Sequence, residues 1–118
     1  MPQAPGARAD DEALLGRLQR HLRAFTEVPS PPFGEGARSA AVAAAWSSFG
    51  LEVAIDDLGD VIATLPGGEG PRVMLAAHLD TVFPAGTDVR VRELEGGRWA
   101  APGIADDGGR VSVLTALA

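Results

Sequence analysis

The run Val73-Met74-Leu75-Ala76-Ala77 constrains this chain most, because it is apolar at every position and cannot be a strand with one face in water. Such a run needs cover above and below. It predicts a central strand over residues 72–77 of an α/β sheet flanked by helices, with His78 delivered at the strand's C-terminal end. In open α/β sheets that end is where functional residues gather.

The flanking segments supply helices and a hairpin. Asp10, Asp11 and Glu12 provide a cap and first-turn charge, and Leu14, Leu15, Leu18, Leu22 and Phe25 recur at helical spacing until Val28-Pro29 ends the pattern. Ser30-Pro31-Pro32-Phe33-Gly34 reads as a turn. An Ala-rich helix follows over residues 35–49 and stops at Gly50. Residues 51–56 and 61–65 alternate like two strands of a hairpin. Residues 83–97 read as a loop holding one weak edge strand at Val89-Arg90-Val91-Arg92, with Trp99 anchoring its far side. From Gly109 the chain turns apolar and helical, without a stop signal before Ala118. The expected organisation is a disordered segment over residues 1–9 and a partial domain over 10–118. With 46% apolar but only 5% aromatic residues, its one core would lean on Ala, Val and Leu.

Charge and composition narrow the function classes. Sixteen acidic against ten basic side chains give a formal charge of -6, which repels a phosphate backbone and an anionic membrane alike. Without Cys, a metal could be held only by His and carboxylates. The opening residues lack the apolar core of a signal peptide, and a cytoplasmic location is the expectation.

Two segments hold residues suited to chemistry. In an extended chain His78 and Asp80 point to one side, so Asp80 could accept the second ring N–H of a metal-binding His78. Read alone, the pair is better explained as a strand-end histidine bonded to backbone and a turn cap, because a lone His is weak evidence for a metal. Asp106 and Asp107 lie in a Gly-flanked turn entering a helix, where they fit an N-terminal cap; two adjacent carboxylates also repel unless a cation or good hydrogen bonds intervene. Gly108-Gly109 lacks the Lys and the glycine spacing of a phosphate loop. His21 is expected on the solvent face, Trp46 in packing, and Arg90 and Arg92 on a solvated strand face.

Taken together, Val73-Met74-Leu75-Ala76-Ala77-His78-Leu79-Asp80-Thr81-Val82-Phe83-Pro84 and Ala101-Pro102-Gly103-Ile104-Ala105-Asp106-Asp107-Gly108-Gly109 closely resemble the zinc exopeptidases that include glutamate carboxypeptidases, aminoacylases, peptidase T and diaminopimelate desuccinylase. The likeness extends over residues 12–118, through Val28-Pro29-Ser30-Pro31, the Ala-rich helix and Gly59-Asp60-Val61-Ile62-Ala63-Thr64-Leu65-Pro66-Gly67. It implies the N-terminal part of a phosphorylase/hydrolase-like three-layer αβα zinc peptidase domain, truncated. By position it implies His78 as a metal ligand, Asp106 as the ligand bridging two zinc ions, Asp80 as the catalytic-site residue orienting His78, and a cis peptide between Asp106 and Asp107. Cobalt or manganese would suit the same ligands. It further implies a small peptide or N-acyl amino acid as substrate and a homodimer in the full-length protein.

Two departures stand out. Gly108 occupies a position where many members have Lys, and the Glu-Glu pair, further acidic ligand, distal His and lid that should follow Asp106 have no counterpart here. The expectation is therefore a metallopeptidase or amidohydrolase fragment, silent by itself and prone to association. The rival reading is a non-catalytic α/β fragment or metal-binding interaction module.

Overall fold

The computed structural model describes residues 5–118. Of the opening segment expected to be frayed, residues 1–4 lie outside the described residues, and helix α1 (Pro5–Thr26) is already formed at Pro5. Proline is tolerated there because a first-turn N–H has no intrahelical partner to lose. The apolar stripe of α1 is buried unevenly. Phe25 is in the core and Leu18 and Leu22 are half-buried, whereas Leu14 and Leu15 are exposed. His21 departs from expectation. It is half-buried, because its ring stacks on Phe25 (centroids 5.7 Å apart, 13° between planes) and meets Phe49 edge-on at 5.8 Å.

Helix α2 (Gly36–Ser48) ends as its sequence requires: Gly50 adopts φ +82° and donates its N–H to Ser47 O at 3.0 Å. Its alanines permit close approach, so Val42 joins Phe25 and Val111 in the core, with Ala41, Ala45 and Trp46 packed around them. Trp46 serves packing, and its indole N–H donates to Thr115 Oγ1 at 2.9 Å. Strands β1 (Glu52–Ile55) and β2 (Val61–Thr64) form the expected antiparallel hairpin, Ile55 opposite Val61. Asp56 sets its turn by accepting the N–H groups of Leu58 and Asp60, each at 2.9 Å.

The central strand is the main correction. Among the described residues nothing pairs with residues 72–77, and Val73, Met74 and Leu75 are 80%, 88% and 64% exposed. The cause is a shortage of neighbours: β1 and β2 pair only with each other, so a run apolar on both faces has neither a ladder partner nor a layer above it. Only its far end is anchored, where Ala77 and Leu79 pack against the core.

The edge strand expected at residues 89–92 is shorter and shifted. Strand β3 (Arg92–Glu93) pairs antiparallel with β4 (Trp99–Ala100). Upstream, Asp88 turns the chain locally by accepting both the backbone N–H of Arg90 at 3.1 Å and its guanidinium. Val91, which is buried, gives its N–H to Glu27 Oε1 at 3.2 Å in place of a neighbouring strand. Trp99 does anchor this region, lying 4.9 Å beneath the Arg23 guanidinium, which also pairs with Glu93 at 2.7 Å. Helix α3 (Gly109–Leu117) then packs on α1, burying Val111, Ser112, Thr115 and Ala116. The result is a mixed arrangement of helices and two small antiparallel sheets, in keeping with an α/β domain. Among the described residues no helix is long and apolar enough to cross a membrane.

Candidate metal centre

The two motif segments meet because a glycine lets them. Gly103 has φ +77°, and a Cβ there would lie 2.8 Å from Thr81 Cγ2, so only glycine allows the turn to close against the segment that carries His78. Thr81 is itself fixed. Its backbone N–H and its hydroxyl both donate to Ser30 O at 2.9 Å. On the other side, Gly108 N–H donates to Gly103 O at 3.1 Å, closing one wide turn over residues 104–108 that feeds directly into α3. The Asp106–Asp107 peptide bond within it is cis, the isomer that the motif resemblance implies.

That turn presents its two carboxylates differently. Asp106 is exposed and places Oδ1 2.8 Å from His78 Nε2. Asp107 is only 3% exposed; its Oδ2 accepts the backbone N–H of His78 at 3.1 Å, while Oδ1 lies 3.5 Å from Arg110 Nε. Neither caps α3 through a side-chain hydrogen bond. Asp80 lies on the opposite side of the imidazole, its carbonyl oxygen 3.0 Å and its carboxylate 3.1 Å from Nδ1. The structure therefore brings together all three sequence-predicted residues, His78, Asp80 and Asp106. It adds Asp107, whose signal was the adjacent carboxylate pair, and Arg38, whose Nη1 donates to Leu79 O at 3.0 Å between His78 and Asp80 and whose place on an Ala-rich helix carried no signal.

Both ring nitrogens of His78 face oxygens, Nε2 that of the Asp106 carboxylate and Nδ1 those of Asp80. Partial burial alone would lower its pKa. The Asp106 hydrogen bond, the Asp80 carbonyl and the negative charges of Asp107 and Asp80 outweigh that effect and raise it above the ordinary value. Nε2 thus lies at the point towards which the carboxylates of Asp106 and Asp107 converge.

Ligand atoms of His78, Asp106 and Asp107 lie within 4.8 Å of one another. One imidazole nitrogen and two carboxylates form a donor set suited to zinc, and a first-row divalent ion would relieve the crowding of negative charge. By donor chemistry and spacing these residues fit a metal.

Comparison with known proteins agrees with this geometry. Over 72 residues the chain is 36% identical to a Thermococcus kodakarensis protein described as a LysW-lysine/LysW-ornithine hydrolase, covering 61% of this chain and 20% of that relative. A protein of the same description from Pyrococcus furiosus is 35% identical over 74 residues, covering 63% of this chain and 22% of its own length. The chain thus spans about a fifth of the length of these curated relatives. Residues 60–118, which carry both motif segments, match peptidase family M28, bearing out the exopeptidase resemblance. The chain belongs to peptidase family M28.

Proposed function

We propose that this chain supplies the first ligands of a two-zinc hydrolase of peptide or N-acyl amide bonds. The observation that carries this reading is the convergence of His78, Asp106 and Asp107 within 4.8 Å from two separate segments. His78 and Asp106 would hold metal, and Asp80 would orient the imidazole through Nδ1. Zinc held there would supply Lewis acidity and lower the pKa of a coordinated water to about 7. The residues' own work is to hold the ring in one orientation and to keep carboxylate charge facing the bound ion. The relatives' names add support for hydrolysis as the reaction class.

A complete reaction also needs a general base, and the chain holds no Glu-Glu pair and no His beyond His21 and His78. We therefore place the activity in a longer protein, where residues 72–77 would take their position within a three-layer αβα sheet. The same comparison supports this, since the matched stretch covers only 20% and 22% of the two relatives' lengths.

The test is a zinc and cobalt titration of the chain, alongside assays on acylated amino acids and dipeptides. Weak metal uptake that is lost in His78→Ala, without turnover, is the expected result. Turnover by the chain that chelator abolishes would contradict its silence, and absence of metal uptake would sink the metal reading.

A further inference from the structure

Arg38 is the largest fully buried side chain among the described residues, only 1% exposed, and it makes no salt bridge with any described carboxylate. Its guanidinium is satisfied by carbonyl groups. Nε and Nη2 donate to Val28 O at 3.1 and 2.8 Å, Nη2 also reaches Thr26 O at 3.4 Å, and Nη1 donates to Leu79 O at 3.0 Å. Burying a charge that meets only dipoles is costly, and burial lowers the pKa of this guanidinium. A neutral or apolar residue would fill the space at less expense.

The position of Leu79 explains what the charge achieves. Leu79 separates His78 from Asp80, so a bond to its carbonyl fixes the peptide between the proposed ligand and the carboxylate that orients it. No ladder reaches this segment from upstream, because residues 72–77 are unpaired. Besides the packing of Ala77 and Leu79 on the core and the contact of the His78 ring with Asp106, its backbone is tied to the frame by hydrogen bonds at three residues: His78 N–H to Asp107, Thr81 N–H to Ser30 O, and Leu79 O to Arg38. The same guanidinium holds Thr26 O at the end of α1 and Val28 O in the link to α2. One planar fork thereby joins the frame to the site, and a lysine cannot reproduce it because its ammonium is a point donor on a flexible stem.

We infer that Arg38 is a positioning residue that holds the His78-Leu79-Asp80 segment in its metal-binding geometry. The inference rests on the metal reading above, although its structural part can be measured without metal.

Arg38→Met and Arg38→Lys in the full chain test it, through amide hydrogen exchange of the metal-free protein and cobalt affinity. The expected result is exchange at His78 and Thr81 about tenfold faster with α2 and the Asp56 turn amide unchanged, and cobalt affinity lower by about tenfold, the usual scale for loss of an outer support. Arg38→Lys keeps the charge but not the fork, and shows the same selective loss. Should Arg38→Met fail to fold, the Lys variant decides. Protection lost equally in α2 and at His78, or wild-type exchange at His78 and Thr81 in the Lys variant, would overturn the inference. A wild-type chain that takes up no cobalt would refute the metal reading alone, and the exchange contrast would still decide the role of Arg38.

Discussion

The backbone N–H of His78 donates to Asp107 Oδ2 at 3.1 Å, joining the two motif segments by a bond that requires no ion. Asp107 is nearly inaccessible, so Asp107→Ala leaves that donor without its acceptor. The expected loss is about 1–3 kcal/mol in urea unfolding. Asp107→Asn keeps an acceptor oxygen and should lose less; equal losses in the two variants would show that the bond contributes nothing.

Asp80 faces Nδ1 of His78 with both its carbonyl and its carboxylate. Asp80→Asn keeps the carbonyl but removes the charge, and cobalt affinity measured by calorimetry should fall by about tenfold. His78→Ala should abolish it. Because the metal must displace a proton held above the ordinary histidine pKa, affinity should weaken as pH falls through that raised value.

The two histidines should affect stability in opposite senses. Burial, then the charges of Arg20 and Arg17, lower the pKa of His21 below 6.5, so its contribution is present above pH 6.5 and is lost as pH falls through the lowered value. For metal-free His78 the pKa is raised, so its contribution is present below pH 6.5 and is lost as pH rises through the raised value. Thermal unfolding of His21→Gln and His78→Gln across pH 4.5 to 8.5 checks the signs. Parallel profiles for the two variants would contradict this assignment.

Gly103→Ala should destabilise by about 2 kcal/mol, combining a left-handed backbone with a methyl group against Thr81 Cγ2. Thr81→Ser removes that Cγ2. In the double variant the steric part should disappear while the backbone part persists, so a double-mutant cycle by chemical unfolding should show favourable coupling. Strict additivity would mean that the contact carries no energy.

Much of this molecule was legible locally. The stop at Gly50, the antiparallel hairpin and the helix after Gly109 each depend on a few neighbouring residues, and each formed as read. The residues that failed to read correctly depend on distant partners. His21 sits at a polar-looking helix position, yet Phe49 reaches it from beyond α2. Arg38 carried no sequence signal at all, since the three carbonyls that converge on it come from Thr26, Val28 and Leu79, distant in the chain.

By itself the sequence offered His78, Asp80 and Asp106 as candidates for a metal centre, through the likeness of their two segments to zinc exopeptidases, with glycines that permit the turn. The tertiary structure alone decided that Asp107 ties the two segments and that Arg38 holds Leu79, since hydrogen bonds across such separations exist only once the backbone has folded. It also decided the fate of residues 72–77. An apolar pattern states that a strand needs cover, but only neighbouring strands and helices can provide it, and none of the described elements pairs with that run.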